Sequence, residues 1–561
     1  MRLPFSASAA LLLAPLAPVL ALRHISGMQV GPIEVSLLQD TELLGINGTN
    51  GWGTFDQQLD HSDPSKGTFE QRFWYGTQYW KGPGSPIILT TPGEQAADVS
   101  KEQHMIFPYY SNWAQTLRCP PLADKLHQGF NVTYTTKMRL SGLMAEKMGA
   151  AVLILEHRYW GKSSPFEELT VQNLQYHTLD NALKDLTYFA NNFDHPFDKS
   201  GESHPTKAPW IFTGGSYPGA LAGWLERLEP GTFWAYHGTS GVVEAMSDFY
   251  TYYDPAMEVA PKNCTKDLTA VIDHIDEILF HGTPEEKQAL KDKFKLGDLG
   301  DKDFGGALLN GPATWQGSQF YTLEQDGVVP LFQFCDYIEN VFPNSTNATY
   351  ILNQNGVGVE KALNGYAKWF VEVYLPDTCE SYGLDGFNGT YNTECFKYEK
   401  EDNLLYKDTR VDNVSGRTWM WMLCNEPFEW WQTGAPFGTP SFVSRGYGIL
   451  KGKTIEMLNN RTDGWFHTDT KRLMYANGQY DPWLDVTVSS NISRPGGAVE
   501  STKELPIWVI PGGNHCSDLY GQNWVANAEV KAIADAEVDQ MSSWVNEFYE
   551  QKSKREVRFI S

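Results

Sequence analysis

The stretch Pro209-Trp-Ile-Phe-Thr-Gly-Gly-Ser-Tyr-Pro-Gly-Ala220 constrains this chain more than any other. An apolar, β-prone run stops at two glycines, a serine follows, and small residues then open a helical pattern. This is the sequence form of a strand, a sharp turn and a helix, a geometry that lifts one hydroxyl, that of Ser216, above the end of a sheet. Gly214 and Gly215 permit a backbone too tight for side chains. The common elbow carries Gly two residues after the serine; here Pro218 stands there and Gly219 follows it. Proline fits a first helical turn because its missing N–H would have had no partner.

An elbow serine needs a base and an acid, which in α/β-hydrolases follow it in the order Ser, Asp, His. Residues 472–480 read as a strand running into a polar turn, with Asp481 just beyond. Residues 505–510 repeat the pattern, and the Pro-Gly-Gly-Asn that follows ends at His515. Three strand ends therefore present Ser216, Asp481 and His515, on the side of a parallel sheet where such folds keep their chemistry. Asp485 and Asp518 compete for the acid's role and rank below Asp481. A further strand at 85–91 leads into Pro92-Gly93-Glu94, where this fold sets half of an oxyanion hole; the backbone N–H of Tyr217 supplies the other half. Pro92 has no N–H, so the second donor falls to Gly93 or Glu94. Residues 150–156 form another strand, and Leu179, Leu183, Leu186 and Ala190 recur at helical spacing. Strand, helix and strand alternate as in a parallel sheet covered by helices. Such chemistry needs no cofactor and no metal.

From Ser216 to Asp481 the chain runs too far for the one or two crossovers normally needed. Helical stretches at 266–280 and 285–294, aromatic clusters and loops fill the interval, and sheet-like signals resume near Trp419. The expected division is a hydrolase domain from 46–243 and 411–553, an inserted, mainly helical cap at 244–410, and a charged tail at 554–561. A cap over the strand ends would roof the site and select substrates. Val530, Ile533, Met541, Val545 and Phe548 give the last helix an apolar face for core packing.

Arg2, an Ala/Leu-rich run and Val19-Leu-Ala21 read as a secretory signal peptide at 1–21, followed by a pro-segment at 22–45. No later run is long and apolar enough for a membrane span. Nine Asn-x-Ser/Thr sequons, at Asn47, Asn131, Asn263, Asn344, Asn347, Asn388, Asn413, Asn460 and Asn491, fit that export route. Seven cysteines fit an oxidising compartment and leave one over. Cys264–Cys335 and Cys379–Cys395 are the expected bridges, with Cys119, Cys424 and Cys516 unresolved. A formal net charge of −24 argues against nucleic acid as a partner, because phosphate binding needs basic patches. The expectation is a secreted protein, monomeric or dimeric, acting on peptides.

Several stretches together resemble the serine peptidase family of lysosomal prolyl-X carboxypeptidase, dipeptidyl-peptidase II and fungal acid prolyl endopeptidase. They are the Gly-Gly-Ser-Tyr elbow, Glu156-His-Arg-Tyr-Trp-Gly161, Asn477-Gly-Gln-Tyr-Asp-Pro-Trp483 and Pro511-Gly-Gly-Asn-His-Cys-Ser-Asp518. Phe332-Gln-Phe-Cys335 and Leu423-Cys-Asn-Glu-Pro427 also match. The likeness is nearest to the fungal secreted prolyl endopeptidases. It implies an α/β-hydrolase domain with a helical cap, cleavage on the carboxyl side of proline in acid, and the triad Ser216, Asp481 and His515. It also places Trp483 in the proline pocket; without the resemblance, Trp483 reads as core. Relatives carry a later cysteine that pairs with the one matching Cys424, and the corresponding loop here has none. Glu94, Glu156 and Glu426 read as buried hydrogen-bonding groups, with binding of a substrate terminus as the alternative role. A Pro-Xaa carboxypeptidase and an esterase or lipase on the same fold are the competing readings.

Overall fold

The computed structural model describes residues 49–97, 133–341, 355–446 and 455–560. The proposed signal peptide and pro-segment, Cys119, and the sequons at Asn47, Asn131, Asn344 and Asn347 lie outside them. Eight strands form one sheet in the order β1-β2-β4-β3-β5-β6-β7-β8. They are β1 (Asn50–Gln58), β2 (Thr68–Gly76), β3 (Ile87–Thr90), β4 (Ala151–Leu155), β5 (Trp210–Gly215), β6 (Ala235–Thr239), β7 (Leu473–Gly478) and β8 (Ile507–Ile510). β1 and β2 pair antiparallel, β2 joins β4 antiparallel, and every pairing from β4 to β8 is parallel. This is the α/β-hydrolase fold, and its elbow follows β5 as the sequence requires.

The central strands are apolar on both faces because both faces are covered. Alternate side chains divide between two cores. Ile87, Leu89, Leu153, Trp210 and Phe212 point to one, while Ile88, Val152 and Ile211 point to the other. The second core is closed by α1 (Leu140–Met148) and the long C-terminal helix, whose Val530, Met541 and Val545 are buried there. On the first face lie α2 (Leu179–Asn192), with Leu179, Leu183, Leu186 and Ala190 inward, and α3 (Tyr217–Leu228), which the elbow serine opens.

Between β6 and β7 the chain forms α4 (Lys262–His281), α5 (Pro284–Lys293), α6 (Pro330–Ile338) and α7 (Val359–Trp369). The α4 stripe Cys264, Leu268, Val271, Ile272, Ile275 and Leu279 recurs every three to four residues and joins the same core as β5. Both expected disulfides form: Cys264–Cys335 ties α4 to α6, and Cys379–Cys395 closes a separation of 16 residues. A loop of that size constrains the unfolded chain by about 3 kcal/mol. Cys424 and Cys516 are free thiols.

The structure departs from the sequence reading at one place. Around Trp419 the chain is helical, over Val414–Trp419 and Met420–Asn425, and among the described residues no strand lies between β6 and β7. The Trp419 ring packs on Tyr217 and Phe428, at 5.7 and 6.1 Å, so tertiary burial overrides the β-like composition of that run. Of the described sequons, Asn413 is 5% exposed and its amide donates to Leu405 O and Asp408 O. Asn388, Asn460 and Asn491 are exposed, and Asn263 is half-buried.

Candidate active site

Ser216 sits at the join of β5 and α3 with φ 62° and ψ −125°. A non-glycine residue there costs about 1–3 kcal/mol and persists only when its surroundings hold it. Ser216 N–H donates to Thr239 O of β6 at 2.9 Å, and Ala220 N–H returns to Ser216 O at 3.0 Å. The glycine displaced from the usual elbow spacing has a clear use. A Cβ on Gly219 would meet Thr239 O at 2.6 Å, so α3 can lie against β6 only because that residue is glycine. Before the serine, a Cβ on Gly215 would meet Leu519 Cδ1 at 2.6 Å and Cys516 Sγ at 3.0 Å. The elbow thus abuts the loop that carries His515.

Asp481 and His515 are brought together. The His515 Nδ1 ring nitrogen lies 2.9 Å from Asp481 Oδ1 and 3.1 Å from Oδ2. Trp483 N–H also donates to Asp481 Oδ1, at 2.9 Å. Asp481 is fully buried, whereas the His515 side chain keeps 12% exposure, enough to exchange a proton with a bound group. Burial alone would depress the His515 pKa, but Asp481 with Cys516 outweighs it and holds the imidazole well above the usual histidine value. Among the described residues, Ser216 Oγ makes no hydrogen bond to His515 Nε2, a contact that often tightens only once substrate is bound. Asp485 faces elsewhere, accepting from Thr251, Ser490 and Ser493, and Asp518 is fully buried and accepts from Thr239 Oγ1.

Gly93 rests on the elbow: with φ 75°, a Cβ there would meet Pro218 Cγ at 2.6 Å. Tyr217 N–H lies in the first turn of α3, where backbone donors lack helical partners. Gly93 N–H donates weakly to Thr91 Oγ1 at 3.4 Å. Burial raises the Glu94 carboxyl to about 7 against the opposing pull of its own backbone N–H and of His515. Of the three glutamates, Glu94 is the one that His515 acts on. Glu156 pairs with Arg72 at 2.6 Å and accepts from Ser163 and Ala97 N–H, and Glu426 accepts from Leu179 N–H at the start of α2. His157, Arg158 and Tyr159 are likewise structural, Arg158 being held by Asp185 at 2.6 Å on both carboxylate oxygens.

Trp483 is half-buried between Tyr252, Phe249 and Trp430, at ring distances of 5.4, 5.5 and 5.9 Å, with His515 at 6.3 Å. Gln316 accepts from the indole N–H. The sequence reading missed these four neighbours, which come from stretches without periodic signal; the Tyr250-Thr-Tyr-Tyr253 cluster was the one visible hint. Two surface hollows of about 340 and 320 Å³ lie elsewhere, lined by residues such as Tyr188 and Asn192 in one case and Glu456 and Phe466 in the other.

Among the described residues one further cluster has ligand-like spacing: His237 of β6, Asp518 and Glu537, all buried, with candidate atoms within 4.8 Å of one another. Thr213 Oγ1 lies 2.8 Å from His237 Nδ1, and Thr239 Oγ1 donates to Asp518 Oδ1.

Sheet order, elbow and paired base together define a serine hydrolase of the α/β-hydrolase type. The family model for Serine carboxypeptidase S28 matches residues 133–536, and the chain belongs to that family. Serine protease vicPa of Bipolaris victoriae is 36% identical over 97% of this chain and 97% of its own length. Serine protease vicPb of the same fungus is 35% identical over 96% and 97%. A protein of Arthroderma benhamiae named "Probable extracellular serine carboxypeptidase" is 26% identical over 84% of this chain and 63% of its own. Among solved structures, a hyperthermophilic esterase from Pyrobaculum calidifontis aligns over 95% of this chain and 91% of its own at 9% identity and a TM-score of 0.29. The chain is a serine peptidase by family, and no described helix is long and apolar enough to cross a membrane.

Proposed function

We propose that this protein is a secreted peptidase that cleaves on the carboxyl side of proline, acting within the chain, with Ser216, His515 and Asp481 as its triad. The observation that carries the reading is His515 held between Asp481, at 2.9 Å, and the indole of Trp483, at 6.3 Å. Ser216 Oγ attacks the prolyl carbonyl while His515 Nε2 takes its proton, and the same proton then goes to the departing amine. Asp481 fixes the tautomer and stabilises the imidazolium. Tyr217 N–H, with Gly93 or Glu94 N–H, receives the negative oxygen, each such donor being worth about 2.7–4 kcal/mol. The rigid pyrrolidine ring packs on Trp483 at little entropic cost.

The part of the chain between β6 and β7 serves as the cap in this reading, supported by its position beyond the strand ends. Because Asp481 and Cys516 hold the His515 pKa above its ordinary value, the neutral imidazole that can act as base grows as pH rises toward that value, and the rate should climb along that limb. Replacing Ser216 by Ala and assaying a chromogenic prolyl peptide tests the nucleophile; retained turnover would sink it. Mass spectrometry of products from a long peptide blocked at both ends tests the mode. Internal cuts after proline are expected, and an untouched blocked peptide would make the enzyme a carboxypeptidase.

A further inference from the structure

Residues 314–320, from the segment between β6 and β7, lie between the two loops that carry Asp481 and His515. Trp315 Nε1–H donates to Tyr480 O at 2.8 Å, and Asn514 Nδ2–H donates to Trp315 O at 2.5 Å and Ser318 O at 2.9 Å. Gln319 Nε2–H donates to His515 O at 2.8 Å. In this strap Gln316 takes a distinct position. Its single side-chain oxygen accepts Trp483 Nε1–H at 3.0 Å and Tyr252 O–H at 2.5 Å. An indole N–H only donates, so the amide must present its oxygen to this pair. The rings of Tyr252 and Trp483 meet at 81° and 5.4 Å, with Phe249 and Trp430 completing the surround. Aromatic packing alone leaves the indole free to slide in its plane; two hydrogen bonds converging on one oxygen remove that freedom.

We propose that Gln316 is a specificity-determining residue, fixing the tilt of the Trp483 indole beside His515 and thereby the choice of the residue that precedes the cleaved bond. This rests on the proposed role of Trp483 as the wall of that residue's pocket. A merely space-filling residue would be replaceable by an apolar chain of equal length, whereas a clamp needs an acceptor. Gln316→Met removes the acceptor and keeps the volume; Gln316→Glu keeps an acceptor oxygen; Tyr252→Phe removes one donor alone.

The test measures kcat/KM on peptide substrates that differ only in the residue before the cleaved bond. Its readout is the ratio between the residue preferred by the unsubstituted enzyme and alanine. With each hydrogen bond worth about 1 kcal/mol, Gln316→Met, which loses two, is expected to lower that ratio on the order of thirtyfold and Tyr252→Phe, which loses one, roughly fivefold. Gln316→Glu is expected to restore most of it. Unchanged selectivity in Gln316→Met, equal loss in the Met and Glu variants, or a uniform fall on every substrate overturns the assignment. Tyr252→Phe carries the test if Gln316→Met fails to fold. A preference other than proline in the unsubstituted enzyme would overturn the proline reading and leave this ratio measurable.

Discussion

His515 with Asp481, and His237 with Asp518 and Glu537, set the same side-chain types on the two sides of one loop, and they titrate in opposite directions. At the first pair the imidazole stays partly open and a fully buried carboxylate lies 2.9 Å from its Nδ1, so the cation is favoured. At the second, all three groups are dry. Burial lowers His237 to about 4, against the weaker opposing pull of Asp518. It raises Asp518 to about 8, with the neighbouring Glu537 adding to the shift, and raises Glu537 well above its ordinary value. His237 Nε2 lies 3.4 Å from Glu537 Oε1, within reach of a long hydrogen bond, and 3.9 Å from Asp518 Oδ2, beyond it, while Asp518 Oδ2 and Glu537 Oε2 have no hydrogen-bond partner. Proximity of a histidine to a carboxylate therefore does not by itself make an ion pair. The cost of charging a dry site decides whether a proton stays on the carboxyl or moves to the ring.

The largest expected effect breaks the first pair. Asp481→Asn should lower kcat on the order of ten-thousandfold with the fold intact, because the imidazole loses its tautomer and its counter-charge. Circular dichroism alongside kcat checks this, and a loss under tenfold would remove Asp481 from the mechanism. Next comes the pH dependence of kcat/KM. A base must be neutral to work, and the His515 pKa is raised, so the rate should fall about tenfold per unit as pH drops below that elevated value. A limb centred on or below the ordinary histidine range would contradict the pairing.

The second cluster predicts the opposite dependence, in stability. The native state keeps carboxyl protons that the unfolded chain releases once pH exceeds the unfolded value near 3.8. Stability should therefore decline as pH rises from there to about 8 and level off beyond. Asp518→Asn should flatten that decline, as thermal melting across the range would reveal. Loss of stability on adding a chelator would instead mean that the trio holds a divalent cation. The smallest effect is Thr213→Val, which strips a partner from His237 Nδ1 and should cost about 1–3 kcal/mol, read from urea unfolding.

Much of this was legible because it is local. Ser216, Asp481 and His515 each follow a strand within a few residues, so turn chemistry and chain order exposed them without any knowledge of packing. Both disulfides were likewise anticipated. The helical run around Trp419 was misjudged because its aromatic composition suits a strand as well as a buried helix, and only neighbours such as Tyr217 choose between them. Asn413 matched a sequon, and only the fold could show that its amide engages the Leu405 and Asp408 carbonyls. Glu156 read as a buried hydrogen-bonding group, but only the fold could name its partners, Arg72 and Ser163.

By itself, the sequence determined the sheet-and-elbow architecture and the nominated nucleophile, acid and base, since those depend on backbone allowances and short-range order. Tertiary structure alone decided which histidine is pushed toward its charged form and which away from it, what surrounds Trp483, and that Gln316 bonds across 167 positions to reach it. Desolvation and ring packing are properties of an enclosed volume, and residues distant along the chain create that volume only when the sheet and its insertion close together.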